Sequence, residues 1–172
     1  VLKKLNFNIL AICTTNINSK NIIKLSRTHK IRNVFTKINY LFEFLKNKNN
    51  FVFLLAPRIK DTENILLKCL KFKKKIFIEK PISISYSFIK KLKNHKKNIF
   101  VGYNRIFYKN VIEVSKMLTT KKNLFIEASC SEISKKDILT NSCHMISILL
   151  RLFGDIKFSN IIRKKNFIIA IG

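Results

Sequence analysis

Short apolar runs that alternate with helical segments are the feature that most constrains how this chain can fold. Each run ends at small or polar residues. Continuous apolar runs are typical of parallel strands buried on both faces, and the segments between them are long enough for crossover helices. The alternation predicts βαβ units and an α/β fold with a mostly parallel sheet. The predicted strands cover residues 6–14, 32–36, 51–55, 75–78 and 98–102, and the predicted helices cover 20–28, 40–46, 61–72 and 87–95.

The alternation loosens after Gly102. A composition shift at residues 103–107 predicts a domain boundary, which divides the chain into residues 1–104 and residues 105–172. Beyond it we predict a helix, a long strand, a helix closed by Gly154 and then an antiparallel hairpin, because two apolar runs flank a basic turn. These elements cover residues 107–118, 123–131, 141–153, 156–162 and 166–171.

The charge of the chain raises the question of a nucleic-acid partner. Its 172 residues include 35 Lys and Arg but 9 Asp and Glu, a formal net charge of +26, and proteins bind nucleic acids largely by neutralising phosphates. Lysine, asparagine, isoleucine and phenylalanine are enriched together, however, as happens when a coding sequence drifts towards A and T. We therefore predict no specific nucleic acid among the partners, and a basic nucleic-acid-associated protein is the alternative.

Cysteine spacing and hydropathy indicate the cellular compartment of the protein. The four cysteines are scattered and form no CxxC pair, which predicts buried thiols in a reducing compartment and no metal site. The sequence has no uncharged apolar run of about 18 residues, and its first residues do not resemble a signal peptide. We expect a cytoplasmic protein that does not associate with a membrane.

Three turns that follow predicted strands carry the residues with chemical function. They are Thr14–Thr15, Ala56–Pro57 and Glu79–Lys80–Pro81. The carboxyl ends of parallel strands lie along one edge of a sheet, where open α/β sheets bind ligands, so we expect the turns to line one crevice. A proline ends a strand for structural reasons alone, but a strand end requires neither an acid nor a lysine. Glu79 and Lys80 are therefore predicted site residues.

Three segments, in order, resemble the Gfo/Idh/MocA family of NAD(P)-dependent oxidoreductases. FVFLLAPRIKDTENILLKCLKFKKKIFIEKPIS at 51–83 is similar to its strand, turn, helix and Glu-Lys-Pro strand. VGYNRIF at 101–107 is similar to the entry into its second domain, and DILTNSCHMISILLRLFGDI at 137–156 to its active-site helix. The resemblance implies an incomplete Rossmann-like, doubly wound parallel sheet in residues 1–104. The start of an α+β substrate domain with a mostly antiparallel sheet is then implied for residues 105–172.

The resemblance also implies a function, which is hydride transfer between NAD or NADP and a hydroxyl or carbonyl of a sugar-like or polyol substrate. Lys80 and His144 match catalytic residues, and Asn104 and Arg105 match residues near the substrate. A homo-oligomer would form through the C-terminal sheet. The residues that match cofactor-binding positions are Thr14, Thr15, Ala56, Pro57, Glu79 and Lys80.

The chain departs from the family pattern in ways that bear on activity. The family opens with a strand and a G-x-G-x-x-G turn that holds the cofactor pyrophosphate, whereas the glycines here are Gly102, Gly154 and Gly172. The first strand matches the family's second, so we expect the chain to begin inside the fold without that glycine-rich unit. Thr140 stands where the family often has an acid four residues before the histidine. A truncated, non-catalytic remnant is therefore the alternative to an enzyme.

His144 allows two interpretations. A lone histidine near an apolar helix is commonly structural. If Thr140 or Asn141 caps the helix, however, His144 lies in its first turn, where the positive end of the helix dipole favours neutral imidazole. Neutral imidazole can take a proton from a hydroxyl while hydride leaves the same carbon. His144 is then the predicted acid/base, and Lys80 is the predicted group that polarises the reacting oxygen.

Overall fold

The computed structural model describes residues 7–118, 126–132, 140–163 and 168–171. The described chain divides into two compact units, of which the first ends at Val52 and the second begins at Phe53. This division does not test the domain boundary predicted between residues 104 and 105, which stays a prediction. Within the described ranges, none of the helices combines the length and the apolar character that crossing a bilayer requires.

The first unit contains two short parallel strands and two helices. Strand β1 (Ile12–Cys13) pairs with β2 (Val34–Phe35). Helix α1 (Lys20–Thr28) connects them and has the predicted bounds, and α2 (Ile38–Leu45) follows β2. Both strands are shorter than predicted, because the parallel pairing covers only two residues of each apolar run.

The second unit is built on a parallel three-stranded sheet in the order β3–β4–β5. In the register of the sheet Leu55 pairs with Ile78, and Ile78 pairs with Val101, so the three strands end at the same level. The parallel pairing and the crossover helices confirm the predicted α/β class. The elements are β3 (Phe53–Leu55), α3 (Ile59–Leu70), β4 (Ile76–Ile78), α4 (Tyr86–Lys91), a 3₁₀ turn (Leu92–His95) and β5 (Ile99–Val101).

One face of this sheet is buried and the other is open. Ile76 and Ile78 are 0% and 2% exposed, whereas Phe77 between them is 45% exposed and stacks on Phe100 with ring centroids 5.0 Å apart. The predicted burial of the strands on both faces is wrong here, because successive side chains point to opposite faces and one face is left uncovered. The buried face is completed by residues of β3, α3, α4 and the following turn: Phe53, Leu66, Cys69, Leu70, Phe88 and Leu92.

After β5 the chain is mainly helical and then forms a hairpin. The predicted antiparallel hairpin is confirmed, with Arg163 paired to Ile168. The predicted strand at 123–131 falls partly outside the described residues, and its described part, 126–131, is not a strand because it pairs with no described strand. The elements are a 3₁₀ turn (Asn104–Phe107), α5 (Lys109–Leu118), α6 (Cys143–Phe153), β6 (Asn160–Arg163) and β7 (Ile168–Ile171).

Helix α6 packs against neighbouring elements along its length and ends at a glycine. Along its length it packs against α5 and against the Asn104–Phe107 turn. It ends at Gly154, whose φ of 78° is a backbone conformation that glycine adopts without strain. This confirms Gly154 as the residue that closes the helix. The Asn104–Phe107 turn packs against the helix that carries His144.

Candidate active site at the carboxyl end of the parallel sheet

Two of the three predicted turns lie side by side at the carboxyl edge of the β3–β4–β5 sheet. Ala56–Pro57 follow β3, and Glu79–Lys80 follow β4. The backbone N–H of Glu79 donates to the carbonyl of Leu55 at 2.8 Å, and that of Gly102 donates to the carbonyl of Ile78 at 2.8 Å. These bonds extend the ladder just beyond the strands, so the residues that follow each strand emerge at the same edge.

The third turn, Thr14–Thr15, follows β1 in the first unit. The backbone N–H of Thr14 donates to the carbonyl of Phe35 at 2.9 Å, which continues the β1–β2 pairing by one residue. Thr14 is half-buried and Thr15 is exposed. Both therefore stand at the carboxyl edge of their own sheet, and their alignment with the other two turns stays a prediction.

The carboxylate of Glu79 lies back over the edge of the sheet. Its Oε2 accepts a hydrogen bond from the backbone N–H of Lys80 at 3.0 Å. It also lies 3.6 Å from the position that a Cβ would take at Gly102, which is an ordinary van der Waals distance. Glu79 is exposed, and its carboxylate oxygens can therefore accept further hydrogen bonds from a ligand's hydroxyls.

Lys80 connects the edge of the sheet to the chain just before α6. Its side chain is half-buried, and its Nζ donates to the carbonyl oxygen of Thr140 at 2.8 Å. The distance is typical of a hydrogen bond from an ionised donor, which is stronger than one between neutral groups. The Lys80–Pro81 peptide bond is cis. The bond to Thr140 aims the Lys80 ammonium at the beginning of the helix that carries His144.

His144 is buried in the first turn of α6. It is 8% exposed, and its backbone N–H donates to the carbonyl of Asn141 at 3.2 Å. The predicted position in the first turn is confirmed, but the residue before the helix is Ser142 and not Thr140 or Asn141 as predicted. The Ser142 hydroxyl makes no capping bond, because it donates to a carboxylate elsewhere, as described below.

The surroundings of His144 favour its neutral form. Burial lowers the pKa of the imidazole first, followed by the nearby charges of Lys80 and Arg105, and the Glu79 carboxylate opposes them. The Nδ1 atom is buried and has no hydrogen-bond partner among the residues that the structure describes. With these neighbours, an imidazolium would bury an unpaired N–H. The predicted cause was the helix dipole. The causes identified here are burial and two cations that only the tertiary structure brings near.

Asn104 and Arg105 lie in the 3₁₀ turn that packs against α6. Both side chains are exposed, and the positive charge of Arg105 lowers the pKa of His144. The residue before them, Tyr103, is half-buried, and burial, followed by the electrostatic effect of nearby Cys143, raises the pKa of its phenol. The structure therefore brings Glu79, Lys80, Arg105 and His144 together, while Asn104 shares the turn of Arg105.

Glu132 supports the first turn of α6 and is a residue that the sequence analysis missed. Its Oε1 accepts from the hydroxyl of Ser142 at 2.6 Å, and its Oε2 accepts from the side-chain amide of Asn141 at 3.4 Å. Ser142 is only 4% exposed. The scarcity of acids in the chain is a weak signal for Glu132, but no local motif links it to a helix ten residues later.

A second missed contact holds the chain that follows Lys80–Pro81. The hydroxyl of Ser83, which is 7% exposed, donates to Oε1 of Glu63 on α3 and accepts from the backbone N–H of Ser85 at 2.8 Å. The Ser85 hydroxyl in turn accepts from the N–H of Phe88 and caps α4. These bonds attach the segment after Lys80 to two helices of the unit.

The chemical capacity of this edge follows from three groups. An ammonium, an imidazole that favours its neutral form and a carboxylate lie near one another, which suits polarising an oxygen and moving a proton. In the described ranges there is no group of three or more His, Cys, Asp or Glu residues that could hold a metal ion. A surface depression in the first unit, lined by Lys20, Ile23, Lys24, Arg27 and Thr28, contains none of the predicted site residues.

Solved structures resemble this chain, whereas no family model and no curated protein matches it. A probable dehydrogenase from Thermotoga maritima aligns at TM-score 0.68 and 15% identity over 91% of this chain and 51% of its own. The WlbA (WbpB) dehydrogenase from Thermus thermophilus, in complex with NAD and UDP-GlcNAcA, aligns at TM-score 0.71 and 13% identity over 93% and 59%. The myo-inositol dehydrogenase from Lactobacillus casei, in complex with NAD(H) and myo-inositol, aligns at TM-score 0.67 and 18% identity over 92% and 53%.

The chain thus spans between 51% and 59% of the length of these dehydrogenases. Their sequence identities to it are low, so the likeness concerns the path of the backbone. It establishes that the chain has the α/β fold of Rossmann-like dehydrogenases.

Proposed function

We propose that this chain belongs to the Gfo/Idh/MocA family and takes part in hydride transfer between NAD(P) and a hydroxyl or carbonyl carbon of a sugar-like or polyol substrate. The observation that carries the proposal is the 2.8 Å bond from Lys80 Nζ to the carbonyl of Thr140. It joins the carboxyl edge of the parallel sheet to the start of the helix that holds His144. The NAD complexes of the Thermus and Lactobacillus dehydrogenases support the choice of cofactor.

The edge of the sheet suits a dinucleotide. Open α/β sheets bind such ligands at the carboxyl ends of their strands, and Ala56–Pro57 and Glu79 stand there. The exposed Glu79 carboxylate is an acceptor that matches ribose hydroxyls. Thr14 and Thr15 are the proposed residues for the adenosine ribose. When bound, the nicotinamide supplies the hydride acceptor or donor.

Lys80 and His144 carry out the proton chemistry in this proposal. The Lys80 ammonium stabilises negative charge that develops on the reacting oxygen, and its half-buried position strengthens that interaction relative to water. The imidazole of His144 accepts the hydroxyl proton during oxidation and returns it during reduction. Its lowered pKa keeps it ready to accept at neutral pH. Asn104 and Arg105 are the proposed contacts to the rest of the substrate.

Titration of the chain with NADH and NADPH, followed by nicotinamide fluorescence, tests the proposal. We expect saturable binding of at least one of the two cofactors. Lys80→Met should weaken it, and Lys91→Met, which removes an exposed lysine of α4, serves as the matched control. Failure of both cofactors to saturate at about 1 mM, an affinity of about 4 kcal/mol, would contradict the proposal for this chain.

Turnover tests the assignment of His144. His144→Gln keeps a polar side chain but removes the titrating group, so the rate constant of the chemical step should fall by about 10²–10⁴-fold while cofactor affinity is retained. A panel of polyols and sugars with NAD and NADP, monitored by absorbance of the reduced cofactor, measures it. Undiminished turnover in His144→Gln would show that another group moves the proton.

We also propose a cytoplasmic location and self-association through the C-terminal hairpin. The four cysteines of the chain are free thiols, the state that a reducing compartment maintains. On the hairpin, Ile162 and Ile169 are paired in register and are 36% and 46% exposed. Light scattering over a range of protein concentrations measures the oligomeric mass. A monomer mass at every concentration would contradict self-association through the hairpin.

A further inference from the structure

Among the described residues, the charged groups that act on the His144 imidazole are mostly positive. They are two cations, Lys80 and Arg105, and one carboxylate, Glu79, while the Glu132 carboxylate accepts from the neighbouring Ser142 hydroxyl. The ion pairs found in the described ranges join Glu43 to Lys46 and Lys109 to Glu113, and neither of them involves the site.

Lys80 keeps unused capacity as a donor. Its ammonium has three N–H groups. Within the described ranges one of them donates a hydrogen bond, to the carbonyl of Thr140, which is a neutral acceptor. The side chain is half-buried. Covering such a charge further with a neutral ligand costs desolvation energy, which an anionic partner offsets.

Arg105 provides the complementary shape. It stands on the Asn104–Phe107 turn, which packs against α6, and its side chain is exposed. Its charge is close enough to act on His144. The guanidinium is a planar fork that binds a carboxylate through two parallel hydrogen bonds. A ligand whose hydroxyl lies at Lys80 and His144 can place a neighbouring group against this fork.

We propose that the substrate is an anionic polyol, a sugar acid whose carboxylate pairs with Arg105 while its reacting hydroxyl lies between Lys80 and His144. This inference rests on the proposed function, because it assigns the substrate class of the same site. The carboxylate cancels the excess positive charge, and Glu79 remains available for neutral hydroxyl groups. Arg105 is then a residue that determines specificity.

A matched pair of probes tests the proposal. Gluconate and sorbitol differ in one terminal group, a carboxylate in the first and a CH₂OH in the second. Binding is followed by the Hε1 NMR signal of His144, one of only three histidines, at near-physiological salt and with NADH absent or present. We expect gluconate to shift this signal saturably and to bind about tenfold or more tightly than sorbitol, as for a hydrogen bond between charged groups.

Two variants separate this site from the general positive charge of the chain. Arg105→Gln should abolish the preference for gluconate. Arg151→Gln, which removes an exposed arginine from the last turn of α6, should retain it. Equal affinities for the two probes, no response of His144 to gluconate, or a preference that survives Arg105→Gln would each overturn the proposal. If NADH fails to bind while the gluconate preference follows Arg105, the proposed function fails and the anion site stands.

Discussion

The bond between Glu132 and Ser142 allows a quantitative test of how the first turn of α6 is held. The Ser142 hydroxyl donates to the Glu132 carboxylate at 2.6 Å, and Ser142 is 4% exposed. Ser142 is also the residue whose carbonyl accepts the N–H of Ile146 at 3.1 Å, so it belongs to the first turn of the helix. Replacing Glu132 removes a charged acceptor from a hydroxyl that water does not reach.

The expected magnitude follows from the loss of this charged acceptor. A hydrogen bond to a charged group contributes about 1.5–3 kcal/mol. The Ser142 hydroxyl also lies 3.2 Å from the Cys130 sulfur, a weaker acceptor that remains when Glu132 is replaced. We therefore expect Glu132→Ala to lower the free energy of unfolding by about 1.5–3 kcal/mol. Glu132→Gln keeps an acceptor and loses only the charge, and the expected loss is about 1 kcal/mol.

A double-mutant cycle isolates this contact from the other interactions of Glu132. Glu132→Ala, Ser142→Ala and the double variant are compared by urea unfolding, and the expected coupling energy is about 1.5–3 kcal/mol. Hydrogen exchange at the Ile146 amide reports whether α6 itself opens, and we expect faster exchange in both single variants. Mutations at independent sites add to within about 0.5 kcal/mol, so a coupling energy below that value would show that Glu132 and Ser142 do not interact.

Three further predictions follow from burial and titration in the structure. Replacing Leu66, which is 0% exposed, with alanine should lower the free energy of unfolding by about 2–5 kcal/mol. The same change at its neighbour Leu67, which is 50% exposed, should lower it much less. Urea unfolding of both variants measures the difference. Because the pKa of His144 is lowered from 6.5 in the native chain, the unfolded chain takes up this proton first as the pH falls. The free energy of unfolding therefore decreases as the pH falls from 6.5 through the lower native pKa of His144. The His144→Gln variant should lack this decrease. Burial raises the pKa of the Cys69 thiol to about 12, so a thiol reagent should modify the exposed Cys130 in the native protein and leave Cys69 unmodified until unfolding. Rapid modification of native Cys69 would contradict its burial.

The helices and the order of the elements could be predicted from local pattern. Helix α1 occupies its predicted residues, and α3 (Ile59–Leu70) overlaps most of the helix predicted at 61–72. Strand lengths were not predictable in the same way. A strand exists only where another strand pairs with it. Among the described residues no strand pairs with the segment 126–131, and β1 contains two residues.

The candidate site shows the same limit at the level of single residues. The sequence indicated Glu79 and Lys80 because a strand end requires neither an acid nor a lysine, and it indicated His144 because the segment 137–156 resembles the family's active-site helix. It gave no sign of Thr140 as the acceptor for Lys80 or of Glu132 as the support of α6. Those partners are a carbonyl oxygen, which every residue has, and a carboxylate ten residues away from its contact.

The sequence by itself determined the alternation of strands and helices and the three turns with reactive groups, because apolar periodicity and strand-ending residues act locally along the chain. Tertiary structure alone decided which groups meet. The parallel register places Ala56–Pro57 beside Glu79–Lys80, and the packing of α6 against the Asn104–Phe107 turn brings Arg105 near His144. Burial and the two cations then lower the pKa of that histidine, since the cost of a charge depends on its three-dimensional surroundings and not on its neighbours in sequence.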